Sequence, residues 1–152
     1  ALLREHGLGL PEIQRTIRKI DPLPGAKAFL DTLRARTQVV ILSDTFEQFA
    51  APLMEKLGWP TILCNTLETD GRGMLTGYRM RCPQSKLMTV RALQSIGYDT
   101  IAAGDSYNDV DMIRAGKAGF LFRTTDALKT AYPELPALDD YDALRDGIFA
   151  AL

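Results

Sequence analysis

Ile101-Ala102-Ala103-Gly104-Asp105-Ser106-Tyr107-Asn108-Asp109 is the stretch on which the fold turns. It opens as a short apolar run without polar alternation, the pattern of a strand covered on both faces. It then stops at a glycine, followed by two carboxylates and an amide within one tight turn. Val39-Val40-Ile41-Leu42-Ser43-Asp44-Thr45 has the same form: a β-branched run that ends in small polar and acidic residues. In open parallel sheets ligands bind beyond the carboxyl ends of the strands. Two buried strands with polar ends therefore mark where chemistry is to be expected.

Working outward, helix and strand alternate. Pro11–Ile20 reads as an amphipathic helix through Ile13, Ile17 and Ile20, broken by Asp21-Pro22-Leu23-Pro24-Gly25. Helices are expected at 25–36, 46–57, 85–96, 109–115, 125–131 and 140–152, and strands at 38–42, 100–103 and 118–122. Segments 61–69 and 74–80 flank Asp70-Gly71-Arg72-Gly73, a hairpin turn signature. The fold class is α/β, with a parallel sheet carrying helices on both faces and a β-hairpin insertion.

The 152 residues suit one domain with a single core, 46% apolar and 24% charged. A net charge of −1 offers nothing to nucleic acid or an anionic membrane. No apolar run approaches the ~20 residues that span a bilayer, and no export signal opens the chain. Cys64 and Cys82 sit in no metal-binding pattern and read as free thiols of a cytoplasmic protein. Ala1-Leu2-Leu3-Arg4, without a methionine, reads as the middle of a helix.

Three elements suggest phosphate chemistry. Ser43-Asp44-Thr45 precedes a helix whose N–H groups favour a phosphate, although such residues also serve simply as caps. Asp105 and Asp109 supply hard oxygens of the kind Mg²⁺ takes together with waters and substrate phosphate, or else form a polar turn. Lys86, near a helix start, offsets phosphate charge only if it joins the other two; a lone lysine is usually solvated. Phosphoryl transfer needs positioning, a metal and donors on the equatorial oxygens. One component is absent: Glu5, Glu12, Asp21 and Asp31 precede Ser43, and none follows an apolar strand.

Residues 39–45, Lys86 and residues 104–109 resemble the second, third and fourth motifs of the haloacid dehalogenase superfamily, in its phosphoserine phosphatase family. The likeness extends to Glu5-His6-Gly7-Leu8, Pro22-Leu23-Pro24-Gly25, Ser43-Asp44-Thr45-Phe46 and Tyr132-Pro133-Glu134-Leu135-Pro136-Ala137. Ser106-Tyr107 stands where many of these phosphatases carry Gly-Ala. The resemblance implies a Rossmann-like core over 23–152 and the remnant of a helical cap over 1–22. It implies a Mg²⁺-dependent phosphatase acting on O-phosphoserine in serine biosynthesis, through an aspartyl-phosphate, with homoserine as a further phosphoryl acceptor. Ser43 and Lys86 would be catalytic and would bind substrate with the Asp44 backbone and Asn108. Asp105 would hold the metal, and Asp109 would steady Lys86 or a metal-bound water. Family members open with a central strand carrying the nucleophilic aspartate. The resemblance implies that this strand and most of the cap, about fifty residues in the βαβ arrangement, are missing here. The strands ending at Ser43 and Gly104 would then expose unpaired edges, and the chain by itself is expected to be unstable and inactive.

Two other readings compete. One is an inactive truncated module that binds a phosphorylated metabolite or a protein partner. The other is a receiver-like signalling domain, disfavoured by motif order and by the hairpin. That hairpin also leaves a homodimer open, since it suits pairing across an interface as well as closing over a site.

Overall fold

The structure is a computed structural model that describes residues 9–152. Residues 1–8, with Glu5-His6-Gly7-Leu8 and the first part of the 1–22 segment, lie outside the described residues. The chain divides into two compact units, Ala1–Pro83 and Gln84–Leu152.

In the first unit, helix α1 (Leu10–Ile17) starts where Pro11, lacking an N–H, costs no hydrogen bond. The Glu12 carboxylate reaches back to the Gly9 N–H at 3.1 Å. Beyond its end, the Lys56 ammonium donates to the Arg18 and Ile20 carbonyls, each at 2.8 Å, and to Asp21 at 2.6 Å. Helix α2 (Ala26–Arg34) begins one residue later than the sequence suggests, because Gly25 has φ 85 and cannot join the helix. Strand β1 (Val40–Phe46) is followed by α3 (Glu47–Lys56), β2 (Thr61–Thr69) and β3 (Leu75–Arg79). Ala50, Met54 and Leu57 pack on Ala26, Leu30, Ile41, Leu53 and Ile62 to form the core. Strand β2 is parallel to β1 and antiparallel to β3. The hairpin turn is held by Asp70, whose carboxylate accepts the Arg72 and Met74 N–H groups at 2.9 Å.

In the second unit α4 (Ser85–Ser95) leads to β4 (Ile101–Gly104), a 3₁₀ turn (Tyr107–Asp109), α5 (Val110–Ala115), β5 (Ala118–Phe122), α6 (Asp126–Ala131), β6 (Ala137–Leu138) and α7 (Tyr141–Ala151). The ladder β4-β5-β6 is parallel throughout. Ile113, Leu121 and Leu128 are its most deeply buried side chains. Helix α5 lies so close to β5 that a Cβ on Gly119 would fall 2.5 Å from the Ile113 side chain. Strand β6 has no sequence signature: two residues after Pro136 are too few to show alternation.

Among the described residues the strands form two three-stranded sheets, with β1 at the edge of one and β4 at the edge of the other.

Candidate active site

In the second unit the strand-end turn is organised around one buried charge. Asp109 Oδ1 accepts the Lys86 ammonium at 2.6 Å, with the two side chains only 6% and 13% exposed. Asp109 Oδ2 accepts the N–H groups of Asp105 and Ser106, each at 3.1 Å, and the Ser106 hydroxyl at 2.7 Å. Burial works to raise the Asp109 pKa. The hydrogen bonds from Lys86 and Ser106 and the charge of Lys86 overcome it, and the carboxyl is held below its ordinary value. A buried carboxylate is tolerable only when its lone pairs are satisfied in this way.

This packing dictates Gly104. A Cβ there would lie 2.5 Å from Asp109 Cβ and 2.6 Å from Asp109 Cγ. Asp105 is fixed through its backbone on both sides, its N–H by Asp109 and its carbonyl by the Thr124 hydroxyl at 2.6 Å. The residue remains exposed. Asn108 is exposed too, and its amide oxygen meets the Ser106 hydroxyl. The sequence reading treats Asp109 as either part of a polar turn and cap or a site residue; in the structure it closes the turn onto Ser106 and holds Lys86.

Ser43 and Asp44 belong to the first unit. Here the strand runs through to Phe46 and α3 starts at Glu47, with no side-chain cap. The capping explanation for Ser43-Asp44-Thr45 therefore falls away, as does their placement immediately before the helix. Leu42 is registered with Leu63 and Phe46 with Asn65, so Ser43, Asp44 and Thr45 bulge opposite Cys64. Bulges of this kind re-aim side chains next to functional sites. The Thr45 N–H donates to Ser43 Oγ at 3.3 Å. Asn65, 2% exposed, donates to the Asp44 carbonyl at 2.9 Å and accepts the Arg81 N–H at 3.1 Å.

The structure thus gathers Lys86, Asp105, Asn108 and Asp109 within one unit and places Ser43 and Asp44 at a bulged strand end in the other. Sequence reasoning assigned no role to Gly104, Ser106, Thr124 or Asn65. The first two stand inside a quoted motif. Asn65 carries a fainter signal, an amide directly after the apolar run Ile62-Leu63-Cys64, where a buried side chain demands partners. Thr124 carries none.

Among the described residues no three His, Cys, Asp or Glu side chains converge on a common point. A closed protein cage for Zn²⁺ or Ca²⁺ does not fit that donor set. A Mg²⁺ site of one or two carboxylates completed by waters and phosphate does fit, with Asp105 as the exposed oxygen donor on a pinned backbone.

A family model for haloacid dehalogenase-like hydrolases matches residues 8–117. Phosphoserine phosphatase ThrH of Pseudomonas aeruginosa is 46% identical over 144 residues, covering 95% of this chain and 70% of that protein. A phosphoserine phosphatase of Pseudomonas syringae pv. tomato is also 46% identical over 95% of this chain, which spans 61% of its length. The fold is shared with a substrate-bound phosphoserine phosphatase complex, at a TM-score of 0.72 and 23% identity over 90% of this chain and 68% of that one. The family model over residues 8–117 and these relatives place the chain in the haloacid dehalogenase-like hydrolase family, on its phosphoserine phosphatase branch.

Proposed function

We propose that the protein containing this chain is a Mg²⁺-dependent phosphomonoesterase acting on O-phosphoserine. The observation that carries the reading is the buried Lys86–Asp109 pair, which fixes the backbone of an exposed Asp105. The named relatives supply the substrate. Asp105 would hold Mg²⁺, which when bound draws electron density from the phosphoryl oxygens. Lys86 is pinned by Asp109 as a fixed cation toward the phosphate. The Ser43 hydroxyl and the Asp44 backbone would bind phosphoryl oxygens and substrate, and Asn108 would bind substrate. The nucleophilic aspartate is supplied from outside the described residues: before β1, Glu12 and Asp31 stand on helices and Asp21 in a loop. On this reading residues 1–22 belong to a cap and 23–152 to the core.

The test uses the full-length protein with O-phosphoserine and Mg²⁺, measuring release of inorganic phosphate. Asp105→Asn should lower the rate by at least about 100-fold, with the thermal melt little changed. No Mg²⁺-stimulated release from the wild type, or an undiminished rate in Asp105→Asn, would refute the reading.

A further inference from the structure

We infer that Asn65 is a positioning residue for Ser43, acting through the Asp44–Thr45 peptide; the inference rests on the phosphatase reading above. Three observations within the first unit lead to it. The bulge over Ser43-Asp44-Thr45 takes these residues out of regular register with β2. The Asp44 carbonyl accepts the Asn65 side-chain amide at 2.9 Å. And Asn65, almost wholly buried, directly follows the apolar run Ile62, Leu63 and Cys64 of its strand. A β-branched apolar residue would suit that strand better. A buried amide there is tolerable only because both its ends are used.

The orientation of the amide is settled by its partners. The Arg81 N–H requires an acceptor and the Asp44 carbonyl a donor, so Oδ1 faces Arg81 and Nδ2 faces Asp44. The peptide that links Asp44 to Thr45 is a rigid plane, with its carbonyl and its N–H pointing in opposite directions. Pinning the carbonyl on Asn65 therefore sets the direction of the Thr45 N–H. That N–H lies 3.3 Å from Ser43 Oγ and occupies one of its lone pairs. The hydroxyl oxygen already accepts from its own loop, and it finds no acceptor for its proton among the described residues. The proton is left to be donated outward, as a phosphoryl oxygen requires. Asn65 thus controls Ser43 across one rigid plane without touching substrate.

The experiment is a double-mutant cycle in the full-length protein, read as kcat/KM for O-phosphoserine. Asn65→Asp keeps the acceptor for Arg81 and replaces the donor with an oxygen facing the Asp44 carbonyl. It should lower kcat/KM about tenfold, the loss of one oriented hydrogen bond to a charged group. In a Ser43→Ala background the same change should cost less than about twofold, because its effect is already spent. Met54→Ala, a core cavity in the same unit, should lower the melting temperature and leave kcat/KM unchanged. If Asn65→Asp does not fold by circular dichroism, Asn65→Ala, which brings no charge, is read in the same way. Losses that multiply in the double variant, or an unchanged kcat/KM in the single one, would overturn the inference while leaving the phosphatase reading intact. A wild type that releases no phosphate would overturn both.

Discussion

The ends of β1 and β4 solve the same problem, holding a short polar segment rigid just past a buried strand, by opposite means. At β4 the tie is ionic and self-saturating: Asp109 takes Lys86, two N–H groups and a hydroxyl, and a glycine makes room for it. At β1 the tie is a neutral amide from the adjacent strand, and the segment it holds is a bulge. The contrast is one of what burial demands. A carboxylate can be buried only with every lone pair met, so the β4 turn carries a dense set of donors and acids. The amide carries no charge, and here one bond at each end holds it, Nδ2 to the Asp44 carbonyl and Oδ1 from the Arg81 N–H.

Three experiments sharpen or break that contrast. The largest effect is expected from Lys86→Met, which leaves Asp109 buried without its counter-charge. It should cost about 3–5 kcal/mol in denaturant unfolding of the full-length protein. A loss no greater than that of an ordinary surface substitution would show that the pair is not the organising charge. Next is Gly104→Ala, whose methyl group would meet Asp109 at 2.5 Å. Overpacking there should cost about 1–3 kcal/mol, and a wild-type melt would contradict the close approach.

The smallest effect is confined to acid. Asp109 has a depressed pKa when folded, so between that value and the ordinary carboxylate pKa of ~3.9 the unfolded chain binds the extra proton. The stability it contributes is therefore complete above the ordinary value and is lost as pH falls through the folded one. Urea unfolding followed from neutral to acid pH should show this fall in the wild type and a flatter acid limb in Asp109→Asn. No counterpart is expected from the Asn65 tie, which carries no charge.

Most of the element order could be read from the sequence, because apolar runs of strand and helix period are local patterns. The departures also have local causes. The left-handed Gly25 delays α2, and β6 is too short to carry a pattern. Strand β1 continues, with a bulge, through Ser43, Asp44 and Thr45, where the apolar run that marks it in the sequence has already ended at Leu42. Of the candidate site, Lys86, Asp105, Asn108 and Asp109 were legible as residue types. Their pairing was not, since nothing in Lys86 itself distinguishes it from a solvated lysine.

Sequence alone determined the alternation of strands and helices, the hairpin at Asp70–Gly73 and the two strand ends where polar residues collect, because each depends on neighbours along the chain. Only the tertiary structure decided that Lys86 is buried on Asp109, that Thr124 holds the Asp105 carbonyl and that Asn65 holds the carbonyl of Asp44. Those bonds join residues whose separation along the chain carries no signal; for the Lys86–Asp109 and Asn65–Asp44 bonds what selects them is the need of a buried polar group for a partner, a need defined only once packing has removed the water.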